Sequence, residues 1–105
     1  MVFGRRSRRL SYQIQIGPQV RAFQATLGMQ YRRDVKHAIR ELARDHGDIR
    51  ALREELSGWH RLKVGYYRLI FRYTEGRVIQ CVYLNERKLV YEIFAAEMSR
   101  IVGGE

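Results

Sequence analysis

The segment between residues 59 and 84 constrains the fold of this chain more than any other. Three runs rich in aromatic and β-branched residues, 59–64, 67–74 and 77–84, are separated by Gly65-Tyr66 and Glu75-Gly76. Each separator is two residues long and contains glycine, the spacing of a tight hairpin loop. The pattern predicts three consecutive antiparallel strands. Directly opposed residues share a face. The first hairpin therefore sets Val64 against Tyr67, Lys63 against Arg68, Leu62 against Leu69, Arg61 against Ile70 and Trp59 against Arg72. Leu62, Val64, Tyr67, Leu69 and Phe71 form a core face. The opposite face carries Trp59, Arg61, Lys63, Arg68 and Arg72. In the second hairpin the same rule places Tyr83 beside Arg68 and Cys81 beside Ile70.

The flanking segments complete the fold class. Ser11 to Ile16 alternates polar and apolar residues, a strand with Tyr12, Ile14 and Ile16 on one face. Gly17-Pro18 stops it, and Pro is favoured at the first helical position. Val20, Phe23 and Leu27 make the stripe of a helix that ends at Gly28. A second helix fits residues 30–46, with Tyr31, Val35, Ala38, Ile39, Leu42 and Ala43 facing inward and His37 and His46 upon it. Residues 48–58 show no clear period. A last helix fits residues 88–102, with Val90, Ile93, Phe94, Met98 and Ile101 as its stripe and Gly103-Gly104 closing it. The expectation is an α+β fold: an N-terminal strand and two-helix hairpin packed on a mainly antiparallel sheet of about four strands, with a C-terminal helix. A chain of 105 residues supports one core, so residues 1–105 are expected to form a single domain. Residues 1–9, with four arginines, are expected to form a flexible basic arm.

Charge narrows the partners. Twenty Lys and Arg face eleven Asp and Glu, a net charge of +9, and seventeen of the cations are Arg. Arg binds phosphate and carboxylate bidentately, which points to nucleic acid, an acidic protein, or both. Lys63 opposite Arg68 costs on the order of 0.2–1 kcal/mol, and no acidic residue on 59–64 or 67–74 offsets it. A solvated charged sheet is the plain alternative to a docking surface for phosphates. The apolar runs are too short to cross a bilayer, and no apolar leader segment follows the basic N-terminus. The expectation is a cytoplasmic protein with no membrane partner. A single cysteine excludes an internal disulfide and a cysteine-based zinc site. His37, His46 and the acidic residues show no metal-ligand spacing, so no metal or cofactor is expected. His60 falls on the core face against Phe71; with the other histidines and Cys81 it reads as structural, and Trp59 as a core anchor.

The run from Leu56 to Phe71, Leu-Ser-Gly-Trp-His-Arg-Leu-Lys-Val-Gly-Tyr-Tyr-Arg-Leu-Ile-Phe, resembles the signature of the RelE/ParE toxin superfamily. That signature is Leu-x-Gly, two residues, Arg-Leu-Arg/Lys-Val-Gly-x-Tyr-Arg, then two apolar residues and an aromatic. Arg87-Lys88-Leu89-Val90-Tyr91 is similar to its C-terminal Arg-Lys/Arg-x-Val-Tyr motif. The likeness extends more loosely over residues 10–95. It implies a toxin of a type II toxin–antitoxin pair, with a cognate antitoxin as partner and a higher-order toxin–antitoxin hetero-oligomer as its assembly. In the RelE branch, the toxin cuts mRNA on the ribosome and stops translation. Motif positions then imply Arg61, Lys63, Arg68, Arg87 and Tyr91 as catalytic, with Arg61, Lys63, Arg68, Arg72 and Tyr83 on the RNA. Asn85-Glu86 stands where relatives carry Gly-His or Gly-Lys, and Leu89 where they carry an acidic residue. A Glu86 pointing into the cluster opposes phosphate binding.

The implied residues suffice for RNA cleavage by the neighbouring 2′-hydroxyl. Arginine is permanently protonated, so Arg61 and Arg68 suit a phosphate clamp rather than a base. Lys63 is the candidate base or proton relay, Tyr91 a base, an acid or a stacking platform, and Arg87 a stabiliser of the leaving side. Two other readings stay open: a ParE-like inhibitor of DNA gyrase, and a catalytically inactive basic RNA-binding relative.

Overall fold

A computed structural model describes residues 11–103, with side chains described for 11–98. The basic arm expected at 1–9 lies outside the described residues. The elements run β1 (Gln13–Ile16), α1 (Pro18–Thr26), α2 (Met29–Leu42), β2 (Asp48–Ala51), a 3-10 turn (Glu54–Leu56), β3 (His60–Val64), β4 (Tyr67–Thr74), β5 (Val78–Glu86) and α3 (Arg87–Gly103). The strand order is β1-β5-β4-β3-β2, antiparallel except for the parallel β1–β5 pair. The α+β expectation holds, and β2 adds a fifth strand that residues 48–58 did not announce. His46 lies beyond the end of α2 rather than upon it.

The first hairpin has the expected register, from Val64 against Tyr67 through Lys63 against Arg68 to Arg61 against Ile70. The second differs. Its loop holds three residues, because both Gly76 (φ 77°) and Arg77 (φ 58°) are left-handed and Thr74 pairs with Val78. That one-residue shift turns Cys81 to the side of Phe71, not Ile70. A bulge between Ile70 and Phe71 then adds a second residue. Tyr83 therefore opposes Ile70, and Asn85, not Tyr83, sits beside Arg68.

The sheet has two covered faces. On one, α1 and α2 lie over Leu62, Leu69, Phe71, Ile79, Cys81 and Leu84, with Val20, Val35 and Leu42 fully buried between the layers. Each such side chain contributes about 1.5–3 kcal/mol of transfer free energy. The other face is divided. Ile70 is fully buried there beneath Val90 and Phe94 of α3, which crosses β5 and β4. Leu52, Leu56 and Trp59 close this smaller core from the β3 side. Met98 joins it, whereas Ile93 lies on the outer side of α3 beside Glu92, Ala96 and Glu97. The side chain of Ile101 lies outside those described. The helix thus covers one half of the cation-bearing face and leaves the β2–β3 half open.

Candidate active site

Arg61, Lys63, Arg68 and Arg72 share the face that α3 partly covers, and their surroundings differ. Arg61 and Arg68 are largely buried. A cation removed from water must be paired or hydrogen-bonded. Arg68, 8% exposed, donates Nη1–H to the carbonyls of Gly65 (2.7 Å) and Tyr67 (2.9 Å), holding the turn that it follows. Arg61 donates Nη1–H to the Asp48 carbonyl (2.7 Å) and to Asp48 Oδ1 (3.2 Å). Asp48 belongs to β2 and directly opposes Lys63. The cluster is therefore not without an acidic neighbour, contrary to the expectation from 59–64 and 67–74 alone. The same strand adds a cation, since Arg50 opposes Arg61.

Both anchored arginines keep the same edge unengaged. Among the described residues, neither Nε nor Nη2 of Arg61 or Arg68 has a protein partner. The Nε–Nη2 edge offers two parallel N–H bonds, the geometry that grips phosphate. Fixing Nη1 on a carbonyl removes rotamer freedom before any ligand arrives. Lys63 is exposed and lies between them: directly opposite Arg68 and two residues along β3 from Arg61.

Arg72 stands at the far end of the sheet. It stacks over Trp59 at 4.8 Å and donates Nε–H to Gln80 Oε1 at 2.9 Å. Trp59 packs edge-on against Phe94 at 5.1 Å, so it is a core anchor that also carries a cation. Tyr83 packs its ring against Phe94, centroids 6.0 Å apart, within the core around Ile70.

The start of α3 is fixed to the Lys63–Arg68 end of the sheet. The Arg87 N–H donates to the Tyr66 carbonyl at 2.8 Å. This places Arg87 two residues beyond Asn85, the strand partner of Arg68. Tyr91, one turn on, is half-buried against the Ile70–Val90–Phe94 core. Glu86 opposes Tyr67 and falls on the face of Leu84, away from Lys63 and Arg68. The departure at Asn85-Glu86 therefore puts no carboxylate into the cationic cluster.

The remaining reactive groups lie elsewhere. Cys81 is buried, and burial pushes its thiol up to about 12. His60 stacks on Phe71 at 5.5 Å and meets Tyr73 edge-on at 5.0 Å. Its Nδ1 has no hydrogen-bond partner, and desolvation lowers its pKa despite the opposing influence of Asp45. Among the described residues no three His, Cys, Asp or Glu side chains converge where a metal ion could sit. No described helix is long and apolar enough to cross a membrane.

No family model and no curated protein sequence matches the chain. Solved structures do. The RelBE2 toxin–antitoxin complex from Mycobacterium tuberculosis superposes with a TM-score of 0.64 at 22% identity, covering 73% of this chain and 99% of that one. The archaeal RelE–RelB complex from Pyrococcus horikoshii OT3 gives 0.61 at 22% identity, covering 73% and 96%. YafQ from E. coli gives 0.56 at 14%, covering 73% and 94%. The chain has the RelE toxin fold. In this fold the motif positions Arg61, Lys63 and Arg68 come from the central hairpin, and Arg87 and Tyr91 from the helix that the hairpin turn holds in place. Asp48 and Arg50 escape sequence reasoning because β2 is only four residues long and mostly exposed.

Proposed function

We propose that this RelE-fold chain is the toxin of a type II toxin–antitoxin pair and that it cuts mRNA held in the ribosome. The observation that carries the reading is the pair of anchored arginines. Arg61 and Arg68 each hold Nη1 on a carbonyl and leave the Nε–Nη2 edge for phosphate, with exposed Lys63 between them. In the proposed reaction the 2′-oxygen attacks the adjacent phosphorus. The O2′–P bond forms and the P–O5′ bond breaks, leaving a 2′,3′-cyclic phosphate and a 5′-hydroxyl. Lys63 takes the 2′ proton; Tyr91 gives a proton to O5′; Arg61 and Arg68 hold the non-bridging oxygens, and Arg87 supports the leaving side. Ribosomal positioning of the strand supplies the in-line geometry that a shallow open face does not. Arg72 on Trp59 serves as an outlying phosphate contact. The partner is an acidic antitoxin that covers the cationic face, forming a hetero-oligomer. The complexes with antitoxins among the similar structures support that partner.

Lys63→Ala tests the reading. Lys63 is exposed and carries no fold contact comparable to that of Arg68 on its turn, so the variant is expected to remain folded. Translation-coupled cleavage should fall on the order of 10²–10⁴-fold. Undiminished cleavage by a folded Lys63→Ala chain refutes the site. Inhibition of gyrase supercoiling without RNA cleavage would transfer the protein to the ParE-like reading.

A further inference from the structure

The turn Gly65-Tyr66 and the start of α3 enclose a pocket around the corner from the cationic cluster. Tyr66 is 74% exposed, more than any other large apolar side chain among the described residues. The turn does not require an aromatic there. Gly65 carries the left-handed backbone (φ 59°), and Gly, Asn or Asp is the usual occupant of such two-residue loops. The Arg87 N–H bond to the Tyr66 carbonyl ties the turn to the helix. Between them lies a pocket of about 520 Å³ lined by Tyr66, Tyr67, Glu86, Arg87 and Lys88.

Its walls differ in chemistry. Tyr67 is a fixed floor, its ring edge-on to Phe23 at 5.8 Å and to Tyr31 at 5.7 Å. Burial first, then Tyr31 and Glu86, raises the pKa of its phenol, which stays a neutral donor. Arg87 and Lys88 are both exposed at the positive end of a helix dipole, where a cation is disfavoured and an anion favoured. Tyr66 presents a free aromatic face, and Glu86 a carboxylate. An aromatic platform, two cations and one acceptor within a single pocket match the parts of a nucleotide.

We propose that this pocket binds one unpaired nucleotide of an RNA strand, the base stacked on Tyr66, its phosphate held by Arg87 and Lys88, and its amino edge donating to Glu86. The inference rests on RNA being the substrate and adds where the strand goes. From the Lys63–Arg68 cluster the strand turns around the end of the sheet and inserts a neighbouring base. The carboxylate makes the pocket selective. Guanine, adenine and cytosine present an amino group to Glu86, whereas uracil presents an N–H flanked by two carbonyls that repel it.

The test is an amide-shift titration of the full chain with GMP, AMP, CMP and UMP, followed by ¹⁵N–¹H NMR. It needs no ribosome and no cleavage, so its outcome is separate from that of the cleavage assay. The expected result is a saturable shift of the Gly65, Tyr66, Arg87 and Lys88 amides, weakest with UMP. Tyr66→Ala should weaken binding roughly 5- to 150-fold, the worth of one base–aromatic stack. Tyr66→Leu, which keeps bulk without the ring, should lose most of it too. Glu86→Gln, able to accept or donate, should bring UMP level with the others. Unmoved amides at these positions overturn the proposal, as does a Tyr66→Ala chain that binds like the parent. Inorganic phosphate shifting the same amides with equal affinity also overturns it, by reducing the pocket to an anion site.

Discussion

Asp48→Asn isolates the electrostatic part of the proposed phosphate clamp. Asp48 grips Arg61 twice, through its carbonyl at 2.7 Å and through Oδ1 at 3.2 Å. The substitution keeps the carbonyl and an acceptor oxygen and removes one negative charge. The Asp48 side chain is 54% exposed, so the pair belongs to the solvent-screened class worth about 0.2–1 kcal/mol. Stability should therefore change by less than about 1 kcal/mol. The effect on RNA is of similar size and is read directly as affinity. Two unit charges held on opposite edges of one guanidinium, roughly 6 Å apart, repel in water by about 0.7 kcal/mol, which is the repulsion that a phosphate on the Nε–Nη2 edge of Arg61 would feel from Asp48. Relief of that repulsion raises affinity about threefold, and Arg61 being only 11% exposed makes this a lower bound. Fluorescence anisotropy of a short single-stranded RNA across a potassium chloride series measures it, with the slope of log K against log salt steepening by up to about 0.7. Unchanged or weaker binding at an unchanged slope would refute the reasoning. Arg61 would then make no phosphate contact, or Asp48 would serve only to position it.

Further predictions rest on packing and titration. Ile70→Ala removes a fully buried side chain from beneath Val90 and Phe94; urea denaturation should show a loss of about 2–5 kcal/mol, and a loss under 1 kcal/mol would mean that α3 is not held there. Gly47→Ala places a Cβ 2.6 Å from Leu62 Cδ1 on a backbone at φ 135°, so its midpoint should fall, and an unchanged midpoint contradicts that contact. His60 has a folded pKa below its ordinary 6.5, so the unfolded chain binds the proton first. Its contribution to stability is present above pH 6.5 and lost as pH falls towards the folded value, and His60→Phe should flatten that dependence in urea titrations at pH 5 and pH 8. Cys81, pushed to about 12 by burial, should resist a thiol reagent at pH 8 in the native chain and react in urea; rapid native labelling contradicts the placement.

The fold was legible where turn chemistry and period agreed. Gly65-Tyr66 sets the β3–β4 register residue by residue, and the apolar positions of 11–27 and 30–46 mark β1, α1 and α2, although α2 ends at Leu42, short of the expected 46. It was not legible where backbone conformation intervened. The left-handed Arg77 lengthens the second loop by one residue and flips Cys81 to the Phe71 side. The bulge at Ile70/Phe71 returns Tyr83 to the cation-bearing face, but opposite Ile70 rather than Arg68. Arg77 is not a residue type that announces φ > 0, and a bulge has no compositional sign. β2 forms because β3 offers it a partner, with the Leu52 N–H donating to the Trp59 carbonyl at 2.9 Å, rather than from any propensity of Asp48-Ile49-Arg50-Ala51. The candidate site was half legible in consequence. Its cations were named from the hairpin, while the carboxylate that holds Arg61, the burial of Arg68 and the direction of Glu86 required the folded neighbours.

Primer-extension mapping of one mRNA in a reconstituted translation reaction, with and without this chain, tests the central claim most directly. A parallel reaction holds the same RNA without ribosomes. The account predicts cuts at a fixed place within codons, only in the presence of ribosomes, and lost with Lys63→Ala. Folded protein that gives no cuts in either reaction, or equal cuts without ribosomes, would contradict it.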